Sequence, residues 1–83
     1  MNVGISMLAV DLAQASVSSS TYTFVYNIEK AIKSATHITV SGLVQSSKTY
    51  NAMPAWYNVT DKKLYVGTGQ HYFAVDGMTL TYT

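Results

Sequence analysis

His71-Tyr72-Phe73-Ala74-Val75-Asp76-Gly77-Met78-Thr79-Leu80-Thr81-Tyr82 is the stretch that decides the fold class. Two alternating runs of β-forming residues flank an Asp-Gly pair. Asp-Gly suits the two positions of positive φ in a type I′ turn, so the stretch reads as a β-hairpin. That turn pairs Val75 with Met78, Phe73 with Leu80 and His71 with Tyr82. Phe73, Val75, Met78 and Leu80 then form a buried face, and Tyr72, Ala74, Thr79 and Thr81 the opposite one.

The same reading extends upstream. Residues 56–59 and 64–67 flank Thr60-Asp61-Lys62-Lys63 as a second hairpin, with Val59 opposite Leu64 and Tyr57 opposite Val66. Those four share an apolar face, and Trp56, Asn58 and Tyr65 take the other. Gly67-Thr68-Gly69-Gln70 connects the two hairpins. Residues 21–28 alternate as a strand, with Tyr22, Phe24, Tyr26 and Ile28 on one face. In residues 29–35 the Glu29/Lys33 spacing suggests one or two helical turns. Residues 36–45 are a second β segment, in which Gly42 marks a bulge or a close backbone approach. Residues 45–51 read as a polar loop, and Pro54 stands at or just before the start of the next strand. Residues 1–17 fit helical and alternating spacing equally. The expectation is a mainly β fold: a small antiparallel sandwich or barrel over residues 21–83, preceded by a short helix or docking arm over residues 1–20.

Composition narrows the function classes. The 83 residues include no Cys, which excludes disulfides, thiolate metal sites and thiol catalysis. Charged residues are 11% of the chain, against about 25% in an ordinary soluble domain. Ser and Thr supply 19 positions and Tyr seven, so hydroxyl groups take the place of charge. A chain this short buries little core on its own, and oligomerisation is one common remedy. No apolar run approaches the roughly 20 residues of a membrane-spanning helix. Ala13-Gln14-Ala15 resembles a signal-peptide cleavage site, but no basic segment precedes it.

Catalytic and metal motifs are missing. His37 and His71 have no local ligand spacing, and the four acidic residues are scattered. Ser41-Gly42 lacks the preceding glycine of a nucleophile elbow. Gly67-Thr68-Gly69 is followed by no helix-forming sequence that could complete a phosphate cradle. The expectation is a non-enzymatic protein with no cofactor and no metal. Leu64-Tyr65-Val66-Gly67 resembles the aromatic strand of an RNA-recognition motif, but only 16 residues follow it and the chain has no Arg. A single-strand nucleic-acid binder using Tyr65 and Lys62/Lys63 is therefore the weakest reading. Asn58-Val59-Thr60 matches a glycosylation sequon. Trp56, Tyr57 and Tyr65 are candidate glycan contacts, because aromatic faces with polar handles suit amphipathic ligands.

Residues 55–67, Ala-Trp-Tyr-Asn-Val-Thr-Asp-Lys-Lys-Leu-Tyr-Val-Gly, resemble a segment of bacteriophage tail-fibre and related virion proteins. In those proteins a Trp-Tyr-Asn stretch leads through a polar turn into a Lys-Leu strand and a Gly. Trp56, Tyr57, Asn58, Lys63, Leu64 and Gly67 carry the likeness, and the pattern departs after Gly67. The resemblance implies a β-hairpin in a structural protein that is often trimeric. The leading expectation is a bacteriophage virion component, tail-associated or a capsid decoration (cement) subunit, whose partners are its own copies and other virion proteins. Carbohydrate-binding adhesin is the alternative. Burying hydroxyl groups between copies requires only hydrogen bonds, whereas burying charge requires a counter-charge. The expected interface residues are Tyr22, Thr23, Tyr72, Thr79, Thr81 and Tyr82. No Lys guards the final strand, which reads as an open edge.

Overall fold

The computed structural model describes residues 6–83. In chain order the elements are β1 (Met7–Asp11), a 3-10 turn (Leu12–Gln14), β2 (Ser16–Ser18), β3 (Thr21–Thr23), α1 (Ile28–Ser34), β4 (His37–Ser41), β5 (Leu43–Gln45), β6 (Lys48–Tyr50), β7 (Met53–Asn58), β8 (Lys63–Val66), β9 (His71–Asp76) and β10 (Thr79–Tyr82). The mainly β expectation holds. The arrangement is neither a sandwich nor a closed barrel: eight strands in the order β1-β4-β7-β8-β9-β10-β3-β2 form one sheet curled into a half-barrel. Strands β5 and β6 form a separate pair. The sheet is also not wholly antiparallel, because β1 runs parallel to β4.

The concave face carries the core. Val10, Ile38, Val40, Leu64, Val66, Phe73, Val75 and Leu80 point inward along their strands and are buried. Ile28 and Ile32 of α1 and Leu43 of β5 fill the concavity with them. Helix α1 is short, so its ends matter. Asn27 caps its start by accepting from the Lys30 amide at 3.0 Å, and the Glu29–Lys33 pair at 3.2 Å spans one turn. The helix is tied to the β9–β10 turn by a reciprocal pair of bonds. The Gly77 amide donates to Glu29 Oε1 at 2.8 Å, and the Glu29 amide donates to the Gly77 carbonyl at 2.9 Å. Gly77 foremost, followed by Lys33, holds the Glu29 carboxyl below its ordinary pKa.

Several local expectations need correction. The β9–β10 register is displaced by two residues from the expected one: Val75 faces Leu80 and Phe73 faces Tyr82. The turn is Gly77-Met78, with positive φ at Gly77 only, the pattern of a type II′ turn. A two-residue slide keeps the faces, so Phe73, Val75 and Leu80 are buried as expected, while Met78 sits in the turn, 43% exposed. Between β7 and β8 the displacement is the same: Tyr57 faces Leu64, Ala55 faces Val66, and Val59 lies exposed in the loop. Asn58 sets that loop by accepting from the Thr60 and Asp61 amides, each at 3.0 Å.

Residues 21–28 are not one strand. The ladder stops at Thr23, Phe24 remains buried, and the chain turns outward through Val25, 91% exposed, before Asn27 starts α1. The expected polar loop at residues 45–51 is largely the β5–β6 hairpin, turned by Ser46 and Ser47 at φ of 50° and 66°. Gly42 combines positive φ with close approach: a Cβ there would stand 3.3 Å from the Ala13 amide nitrogen. The final strand is not an edge, since β10 lies between β9 and β3. Of the expected N-terminal helix or arm, residues 1–5 lie outside the described residues. Residues 7–18 supply two sheet strands and the 3-10 turn. Among the described residues, no helix is long and apolar enough to cross a membrane.

Candidate binding face

The convex face is assembled from the residues that alternate with the core. Cross-strand pairing puts Trp56 of β7 opposite Tyr65 of β8, and Tyr65 opposite Tyr72 of β9. The three rings therefore form a ladder across adjacent strands. Trp56 and Tyr65 are near-parallel, with centroids 6.2 Å apart and planes 20° apart. Tyr65 and Tyr72 are 5.6 Å apart and tilted by 57°. The Lys63 ammonium sits over Tyr72, 4.6 Å from the ring centre. Trp56 is 47% exposed, and no outward-facing residue of the eight-stranded sheet is buried.

Trp56 is also supported from the turn between β8 and β9. A Cβ on Gly69 would stand 3.2 Å from Trp56 Cζ2, and Gly69 has φ of +88°. Glycine there lets the backbone pass close to the indole.

Beyond the ladder the convex face becomes a field of hydroxyl groups. Thr79 and Thr81 of β10 face Thr23 and Thr21 of β3, which face Ser16 and Ser18 of β2. Thr21 Oγ1 and Thr81 Oγ1 are hydrogen-bonded at 3.1 Å.

The expected interface residues divide by face. Thr23, Tyr72, Thr79 and Thr81 lie on the convex side. Tyr22 and Tyr82 point inward and pack on Phe73, with centroids 5.9 and 5.0 Å away. Tyr82 accepts from Gln45 Nε2, and burial pushes its phenol pKa up. The candidate glycan residues divide as well. Trp56 and Tyr65 come together, whereas Tyr57 turns inward, where its hydroxyl is buried and has no hydrogen-bond partner among the described residues. Tyr57 lines a cleft of about 460 Å³ beside α1, together with Ile32, Ala35 and Ile38. Tyr72 completes the ladder in its stead. The signal that places it there is the β8–β9 register, which no local feature of the sequence specifies.

Lys62 turns away from Lys63, lying 4.0 Å from Glu29 Oε2, so the two lysines do not form one basic patch. His37 begins β4, and His71 begins β9 and stacks on Tyr82 with centroids 5.8 Å apart. No family model matches the chain, and no curated protein or solved structure shows significant similarity to it.

Proposed function

We propose that the chain is a non-enzymatic structural subunit of a bacteriophage particle, tail-associated or decorating the capsid, that works by assembling with copies of itself and with other virion proteins. The observation that supports this reading best is the state of the sheet's two ends. Strands β1 and β2 have no partner on their outer sides among the described residues. Neither contains Lys or Pro; β1 carries one charge, Asp11 at its end, and β2 is three residues long. Val17, at the centre of β2, is 57% exposed. A sheet with two such ends offers main-chain donors and acceptors to a neighbouring copy. The hydroxyl field beside β2 adds surface that can be buried without stranding charge.

The resemblance of residues 55–67 to tail-fibre segments points the same way. Its Trp-Tyr-Asn stretch ends β7 and its Lys-Leu stretch begins β8. The reading predicts that the full-length chain has a multimeric native mass at micromolar concentration and is recovered in purified phage particles. A stable monomer absent from such particles would overturn it.

A further inference from the structure

We propose that the ladder of Trp56, Tyr65 and Tyr72 is a binding site for neutral carbohydrate. Three observations carry this. The rings belong to the open convex face, so their outward surfaces are not spent on the core. Trp56 and Tyr65 lie near-parallel, at 20°, with the Gly69 backbone close to the indole, while Tyr72 is tilted by 57° to Tyr65 and has the Lys63 ammonium over one side of its ring. At an inter-strand spacing of about 4.8 Å the three rings span roughly 10 Å across the sheet, the length of a short run of sugar rings. The C–H face of a pyranose is apolar and slightly positive, and it stacks on the negative π face of an aromatic ring. Sugar hydroxyls then meet the Tyr65 and Tyr72 phenols and the amide of Asn58 at the rim.

Charge selects the ligand class. The chain has no Arg and a formal net charge of +1. Lys63 is the one lysine on the ladder, and its ammonium is engaged with the Tyr72 ring. A phosphate backbone needs a track of cations, which this face lacks, whereas a neutral polyhydroxyl ligand does not.

Trp56 is the sole tryptophan, so its emission reports on the site directly. The test titrates the full-length chain with cellohexaose, chitohexaose and maltohexaose, and with oligo-dT as the contrast. The expected result is a saturable change in emission with at least one hexaose, insensitive to salt. It weakens tenfold or more in Tyr65→Thr and Tyr72→Thr, substitutions that retain β propensity, and is unchanged in Tyr57→Phe, which alters the opposite face. No response to any of the three sugars, equal affinity in folded Tyr65→Thr, or salt-sensitive binding of oligo-dT alone would overturn the proposal. The proposal is independent of the assembly reading, because the titration can be run on a monomer or a multimer.

Discussion

The two faces of β8 and β9 alternate residue by residue and have opposite fates. Inward, Leu64, Val66, Phe73 and Val75 are buried against α1 and the β5–β6 hairpin. Outward, Tyr65 and Tyr72 keep part of their surface in solvent, with Lys63 lying across Tyr72. Both sets have side chains suited to strands, so β propensity alone does not distinguish them. The difference lies in the polar handle. Of the large side chains on these two strands, the aliphatic ones and Phe73 are buried, and the two tyrosines stay partly in solvent.

The largest effect should come from the inner face. Phe73→Ala removes a fully buried ring at the meeting point of Tyr22 and Tyr82 and should cost about 3–5 kcal/mol in urea unfolding. A loss below 1 kcal/mol would break the assignment of faces.

The next effect concerns what covers that face. Glu29 titrates below its ordinary value of 4.5 because its charged form accepts from the Gly77 amide and lies beside Lys33. Its contribution is therefore present above the unfolded pKa and is lost as pH falls through the lower folded pKa. Acid unfolding of the wild type should include this loss. Glu29→Gln should be less stable at neutral pH and show a shallower acid limb. Identical pH profiles would remove Glu29 as the clasp between α1 and the β9–β10 turn.

Smaller effects sharpen the boundary between the faces. Tyr57→Phe deletes a buried hydroxyl without a partner and should stabilise the fold by about 1 kcal/mol. Destabilisation would mean that the hydroxyl is hydrogen-bonded in solution. Thr81→Val, on the convex face, should change stability by less than about 0.5 kcal/mol despite its bond to Thr21.

Faces were legible in the sequence, while registers and neighbours were not. Period-2 alternation assigns a side chain to a face but does not distinguish pairings displaced by two residues. Asp76-Gly77 advertised a type I′ turn, yet Gly77-Met78 forms the turn. The Gly77 amide and carbonyl are held by Glu29, 48 residues away, and the Met78 carbonyl by the Phe24 amide. Such long-range contacts have no local signature. The β5–β6 hairpin was hidden because its two positive-φ positions are Ser46 and Ser47, without the usual glycine. Strand β10 looked like an edge because its partner β3 comes from the other end of the chain. At the candidate site, Trp56 and Tyr65 were recognisable by type. Tyr72 joined them only through the β8–β9 ladder, and Tyr57 left them because adjacent strand residues point to opposite faces.

The inner face holds the fold, and the open sheet ends are the proposed sites of assembly. Sedimentation velocity of the full-length chain beside Val17→Lys, with urea unfolding of both, tests that division most directly. Val17 is 57% exposed and faces Tyr22 across the β2–β3 pair, so Lys there places a charge on an exposed edge outside the buried core. The expected results are a wild-type multimer at micromolar concentration, a shift of Val17→Lys toward monomer, and little loss of the variant monomer's intrinsic stability. A wild type that sediments as a monomer at every concentration, or a Val17→Lys chain that assembles like the wild type, would contradict it.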